Sequence, residues 1–120
     1  MTAQQMKRKL LEIRVAQQKY ALAVETAEQF EKIGGRGKQA EKYRLSCAVL
    51  EKDMLAAREL AEMYIGLLES QAEKEIVTRR YVFCENWEMI ADNMNYSMRQ
   101  VIRIHDRALK KMSLNVKLDL

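Results

Sequence analysis

The residues with the clearest chemical potential lie in the segment from 97 to 112. This segment holds five cations and one anion, and its net charge of +4 equals the net charge of the whole chain of 120 residues. A concentration of one charge sign on one segment is typical of a contact with a polyanion such as nucleic acid, although many ordinary solvated helix faces look similar. The cations are Arg99, Arg103, Arg107, Lys110 and Lys111, and the anion is Asp106.

Reactive side chains elsewhere in the sequence form no catalytic or metal-binding pattern. Cys47 and Cys84 lack C-x-x-C spacing, and no cysteine or carboxylate cluster stands at metal-ligand spacing from His105, the only histidine. The stretch GGRGK at 34–38 lacks the spacing of a phosphate-binding loop and follows a predicted helix, so we interpret it as a turn. We therefore expect no enzymatic activity, no cofactor, no metal and no small-molecule substrate.

A short helix is predicted directly before the basic segment. Asn86 is a favourable N-cap residue for this helix. Asn95 tolerates the left-handed backbone conformation, so it predicts the end of the helix after about two turns. The side chains that fall on one face of this helix are Trp87, Ile90, Ala91 and Met94.

A second helix is predicted from Ser97, another favourable N-cap residue, to about Met112. At about 100° per residue, Val101, Ile104, Ala108 and Met112 form a buried stripe, with His105 near its edge. Arg99, Arg103 and Lys110 lie on the opposite side, with Asp106 beside them and Arg107 further round. Two short amphipathic helices joined by a tight turn are typical of a helix-turn-helix. We predict that its core consists of Trp87, Ile90, Met94, Val101 and Ile104.

Specific contacts with double-stranded DNA are expected from this arrangement. The early residues of the second helix of a helix-turn-helix enter the major groove, so Arg99, Gln100 and Arg103 are the candidates for contacts with base edges. Ile102 beside them is interpreted either as a contact for a thymine methyl group or as a partly buried residue. The candidates for phosphate contacts, which position the helix and make binding depend on salt, are Ser97, Arg107, Lys110 and Lys111.

The first 70 residues predict a long antiparallel helical hairpin of coiled-coil type. Apolar residues recur every three or four positions from about 2 to 33 and again from about 43 to 70, with a glycine-rich break at 34–37. The first stripe includes Met6, Leu10 and Ile13 and is interrupted by Gln17, and the second includes Met54. A further helix is predicted over about 73–84, and its boundary with the preceding helix is left open. The fold class is therefore all-α, with an oligomerisation hairpin at 1–70, a helix-turn-helix at 73–113 and a tail at 114–120. The alternating residues of that tail favour either a short strand or a frayed terminus.

Residues 84–112 resemble region four of bacterial sigma factors. The resemblance lies in the stretch NWEMIADNMNYSMRQVIRIHDRALKKM, with Asn86 and Ser97 at the two caps and Val101 and Ile104 in the core of the recognition helix. Behind a coiled-coil N-terminus, this stretch is similar to small phage and prophage proteins of Gram-positive bacteria, including the ArpU and RinA groups of transcriptional regulators. The resemblance implies sequence-specific DNA binding. Met98 and Arg99 depart from the sigma pattern, so the DNA sequence that sigma factors read is not carried over.

Several partners are expected from these observations. We predict double-stranded DNA and a second copy of the chain, and RNA polymerase is a further possible partner. No apolar run of 18 residues and no secretory signal is present, so we expect no membrane and a cytoplasmic location in a bacterial host. Two alternatives to a transcriptional regulator stay open, namely a DNA-packaging protein like a small terminase subunit and an adaptor that binds RNA polymerase.

Overall fold

The computed structural model of the protein describes residues 1–33 and 37–116, and every regular element among them is helical. The all-α prediction is confirmed for this part of the chain. No helix within these two ranges is long and apolar enough to cross a membrane. The elements are α1 (Ala3–Lys32), α2 (Lys38–Ile65), α3 (Gln71–Val77), a π-helical segment that continues α3 (Thr78–Val82), α4 (Trp87–Met94) and α5 (Met98–Val116).

Helices α1 and α2 pack against each other in opposite directions. Arg44 of α2 pairs with Glu31 near the end of α1, whereas Gln17, half-way along α1, donates a hydrogen bond from Nε2 to the backbone oxygen of Met54 at 3.1 Å. Arg58 donates in turn to Oε1 of Gln17 at 3.0 Å. Gln17 interrupts the predicted apolar stripe, and it is buried with both ends of its amide satisfied.

Two breaks mark the ends of the long helices. Of the break predicted at 34–37, only Gly37 lies among the described residues, and its φ of +101° is a conformation that favours glycine. The open boundary between the second and third helices lies at Gly66–Ser70. There α2 ends at Ile65, and Oγ of Ser70 accepts a hydrogen bond from the backbone N–H of Glu73 at 3.3 Å to begin α3.

The larger hydrophobic core joins the two segments that the sequence divides into domains. It combines side chains from α1, α2, the α3–π segment and α5, so the predicted boundary at 70–73 does not separate two cores. The two segments share one core because the second half of α5 is buried against α1. The main contributors are Met6, Leu10, Ile13, Ala61, Leu68, Val77, Tyr81, Ala108, Leu109 and Met112.

A smaller hydrophobic cluster forms where α3, α4 and α5 meet. Its buried members are Ile76, Ile90, Ala91 and Val101, and partly buried side chains pack around them. All five residues predicted for the helix-turn-helix core lie in this cluster, although Trp87, Met94 and Ile104 are only half-buried.

Helix α5 differs from its prediction in length and in rotation. It continues to Val116, so a strand is wrong for residues 114–116, and residues 117–120 of the predicted tail lie outside the described residues. Its buried side also includes His105 and Leu109. The sequence pattern places His105 near the edge of the apolar stripe, because only apolar residues define that stripe. In the structure the residue is buried, with 2% of its surface exposed.

Candidate nucleic-acid interface

Three short polar residues set the ends of α4 and α5. Oδ1 of Asn86 accepts a hydrogen bond from the N–H of Met89 at 2.8 Å, which confirms the first predicted N-cap. Asn95 adopts the left-handed conformation with φ +55° and ends α4 as predicted. Oγ of Ser97 accepts from the N–H of Gln100 at 3.1 Å and caps α5. The linker between the helices is therefore only Asn95–Ser97, and the direction of α5 relative to α4 is set locally.

The side of α5 opposite its buried stripe carries Arg99, Arg103 and Lys110, and we call these three cations the outer face; the exposed carboxylate of Asp106 lies beside them. All three side chains are exposed, and within residues 1–33 and 37–116 none of them forms an ion pair. At about 1.5 Å of rise per residue, the outer face extends over about 16 Å of helix. These cations are free to meet a ligand, and they lie on a rigid element held from behind by Val101 and Ala108.

The side chains of Gln100 and Ser97 are hydrogen-bonded to each other's residue, unlike those of the outer face. Oε1 of Gln100 accepts from the N–H of Ser97 at 3.0 Å and lies 3.3 Å from its Oγ, which completes a capping box. A bidentate contact with adenine uses both the oxygen and the nitrogen of a glutamine amide. The base contact predicted for Gln100 therefore requires this cap to open, as does a phosphate contact through the hydroxyl of Ser97.

Arg107 and Lys111 are turned towards α3 by a buried carboxylate. Oε1 of Glu73 accepts from Nζ of Lys111 at 2.8 Å and from Nε of Arg107 at 3.3 Å, and the Glu73 side chain is 1% exposed. The two cations keep about half of their side-chain surface exposed. They attach α5 to α3, so they are less available for phosphates than Lys110.

The role of Glu73 is not evident from the sequence. Its spacing from Ser70 matches a capping box, in which a glutamate reaches back to the N-cap backbone at its own helix terminus. Ser70 does cap α3, but the carboxylate of Glu73 reaches across to α5 instead. Only the packing of α5 against α3 selects between these two positions for the side chain.

His105 links the two hydrophobic clusters behind the outer face. Its Nε2 lies 2.6 Å from the hydroxyl of Tyr81, its Nδ1 lies 3.1 Å from Oδ1 of Asp106, and its ring lies 4.9 Å edge-on from Trp87. A neutral imidazole satisfies both contacts if Tyr81 donates to Nε2 and Nδ1 donates to Asp106. Burial lowers the pKa of His105 and raises the pKa of Tyr81 to about 12, so both groups are neutral at pH 7.

Arg80 is held on the outside of this cluster. Its guanidinium lies 4.2 Å from the ring centre of Trp87, and it donates to the backbone oxygen of Glu85 at 3.3 Å. This cation–π contact covers one face of the partly exposed indole. Among the described residues, no group of three histidines, cysteines or carboxylates could hold a metal ion. Tyr81, Trp87 and His105 pack against one another on the buried side of α5.

Comparison with known proteins finds no matching family model, no matching curated protein and no matching solved structure. Helices α4, of 8 residues, and α5, of 19 residues, are joined by a capped three-residue linker, and α5 carries exposed cations that form no ion pair with any described residue, opposite a buried stripe.

Proposed function

We propose that this protein is a sequence-specific DNA-binding regulator of phage or prophage transcription that acts in the cytoplasm of a bacterial host. Helices α4 and α5 form its helix-turn-helix. The observation that carries the proposal is the outer face of α5, where Arg99, Arg103 and Lys110 are exposed and form no ion pair with any described residue, and where Arg99 comes directly after the linker between the two helices. Such a face is complementary to the major groove and the phosphates beside it.

The early part of α5 reads the bases. Arg99 and Arg103 lie one helical turn apart, and each guanidinium can donate two hydrogen bonds to O6 and N7 of a guanine. Met98 and Ile102 flank them at the same spacing, with 42% and 38% of their surfaces exposed. These apolar side chains match the methyl group of thymine, so the preferred site combines guanine with neighbouring thymine.

Phosphate contacts come from the later part of α5 and from its beginning. At the later end, Lys110 forms no ion pair with any described residue, whereas Arg107 and Lys111 can contact phosphates only if they leave the carboxylate of Glu73. The backbone N–H groups of the first turn of α5 favour a phosphate at the helix N-terminus. One unit of this size makes few base contacts, so we propose that two copies bind two half-sites separated by one helical turn of DNA or a multiple of it.

Selection of bound fragments from a phage genome is the first test. We expect enriched fragments to lie close to promoters. Enrichment of a site where packaging begins would replace regulation with a packaging role. Absence of duplex binding even at low salt would reject DNA binding altogether and favour the adaptor that binds RNA polymerase.

Substitution of Arg103 tests the assignment of the interface. On a selected fragment, Arg103→Ala should weaken binding roughly 5- to 150-fold and relax the preference at one base pair. Lys52→Ala is the matched control, because Lys52 is an exposed cation on α2 outside this interface. Equal losses in the two variants, measured by fluorescence anisotropy at fixed salt, would show that net charge alone is responsible and would contradict base reading by α5.

A further inference from the structure

An apolar groove between α1 and α2 is covered by none of the described residues. Leu11, Val15 and Ala16 of α1 and Leu50 of α2 line it, and no side chain from α3, α4 or α5 contributes to it. Leu11 is 39% exposed and Val15 is 44% exposed. Exposed aliphatic side chains grouped in a groove of this kind mark an interaction surface.

The groove lies away from the core that α1 shares with the other helices. On a helical wheel of about 100° per residue, Leu11 and Val15 project more than about 100° away from the buried residues Ile13 and Gln17. A second groove, between α1, α2 and the π-helical segment, is lined by Val82 and Phe83. The two long helices are therefore covered on one side by later parts of the chain and are open on the other.

The charges around the open groove indicate which kind of partner it takes. Its rim carries two cations, Arg8 and Lys19, and two anions, Glu12 and Asp53, so its net charge is zero. Half of these groups would repel a polyanion, whereas the cations of the outer face of α5 would attract one. A surface with equal numbers of both signs can instead complement a rotated copy of itself.

We propose that a second copy of this chain docks on this groove with α1 antiparallel to its counterpart about a two-fold axis. When two identical helices pair in opposite directions, the residue numbers of any two facing residues add up to the same total. An axis between Val15 and Ala16 places each of these residues opposite the other and places Glu12 of each copy opposite Lys19 of its partner. The small side chain of Ala16 allows close approach at the axis, and the symmetry closes the assembly at two copies.

Sedimentation velocity of the full chain without DNA tests the dimer, so its outcome does not depend on the proposed function. The expected species has twice the chain mass of 14.1 kDa. A monomer at every soluble concentration would overturn the proposal, and so would a ring of higher order. Val15→Glu should abolish the dimer and leave the circular dichroism spectrum unchanged, because Val15 is exposed in the single chain.

Charge reversal tests the register of the two copies. Glu12→Lys and Lys19→Glu should each weaken the dimer roughly tenfold or more, because the two-fold axis doubles every repulsion. The double variant should restore the wild-type dimer affinity. Lys52→Glu, an exposed reversal outside the groove, should have no comparable effect. A double variant as weak as the two single ones would overturn this register, and single variants as tight as the wild type would overturn the groove as the interface.

Discussion

The exposed faces of α1 and α5 differ in what they offer to a partner. On α1, Leu11, Val15 and Leu22 are exposed, and the charges around the first two are balanced in sign. On α5 the three cations of the outer face have one exposed anion beside them, Asp106, so this side of the helix is predominantly positive. Apolar surface gains free energy when another apolar surface covers it, whereas unpaired cations gain most from a polyanion. One chain therefore presents a face suited to a protein and another suited to a polyanion.

A second difference lies within α5 itself, between cations of the same type. Arg99 and Arg103 are exposed and form no ion pair within residues 1–33 and 37–116, whereas Arg107 and Lys111 share the buried carboxylate of Glu73. A count of positive charges along the helix treats these residues as equal. The packing of α3 against α5 divides them, so the number of cations free to bind a ligand is smaller than the net charge of the segment implies.

The largest expected effect tests whether the exposed face of α1 is separate from the folding core. Leu10→Ala should reduce the free energy of unfolding by about 2–5 kcal/mol, because Leu10 is completely buried and a cavity remains. Leu11→Ala, one residue later, should cost only about 0.5 kcal/mol in dilute protein, where dimerisation contributes little. Urea unfolding measures both values. Equal losses would place Leu11 in the core and remove the distinction between the two sides of α1.

The next effect concerns the division of cations on α5. Glu73→Gln retains the shape of the buried side chain but removes the negative charge that pairs with Arg107 and Lys111, which weakens their attachment to α3. The DNA affinity should rise roughly tenfold at low salt, and the slope of log K against log salt should steepen by up to about 1.8 for two additional phosphates. Glu75→Gln is the control, since Glu75 is an exposed carboxylate on the same helix that pairs with Arg79. An unchanged slope would show that Glu73 does not restrain these cations.

The parts of α4 and α5 that the sequence predicted well depend on local interactions. The hydrogen bonds and backbone conformations of Asn86, Asn95 and Ser97 involve only neighbours within three or four positions. The types of these residues are therefore sufficient to indicate where each helix begins or ends. The apolar stripes of α1 and α2 are equally local in origin. They predicted the buried residues Met6, Leu10, Ile13 and Met54.

The parts that could not be predicted depend on which helices meet. Glu73 and Lys111 are 38 positions apart, and Tyr81 and His105 are 24 positions apart. Helical periodicity gives no information on such pairs. It also ranks histidine as polar, so it could not indicate that the hydroxyl of Tyr81 would satisfy His105 inside the protein. For the same reason, periodicity could not predict that α1 and α5 share a core.

A smaller effect tests the buried side of α5 through pH. Because burial lowers the pKa of His105 in the folded protein, the unfolded chain binds the proton more readily. The contribution of the neutral ring is complete above about pH 6.5 and is lost as pH falls below it, by at most about 1.4 kcal/mol per pH unit. Urea unfolding between about pH 7 and pH 5 should show this slope. His105→Gln should flatten it, and an equal slope in that variant would assign the dependence to other groups.

The smallest effect concerns the linker that aims the outer face. Asn95 holds φ +55° and ψ +40°, which costs most side chains about 1–2 kcal/mol but costs glycine nothing. Asn95→Ala should therefore destabilise the protein by about 1 kcal/mol. Asn95→Gly should stabilise it by roughly a few tenths of a kcal/mol, because the relief of strain exceeds the added freedom of the unfolded chain by little.

Asn93→Gly is a control with the opposite expected result, since Asn93 has a helical backbone within α4 and donates a hydrogen bond to Glu85. Glycine there should lower the thermal midpoint, because it adds backbone freedom at a helical position and removes the hydrogen bond to Glu85. If Asn95→Gly is as harmful as Asn93→Gly, then the side chain of Asn95 contributes more than its tolerance of the left-handed conformation. The direction of α5, and with it the comparison between the two exposed faces, would then depend on contacts of Asn95 rather than on backbone geometry.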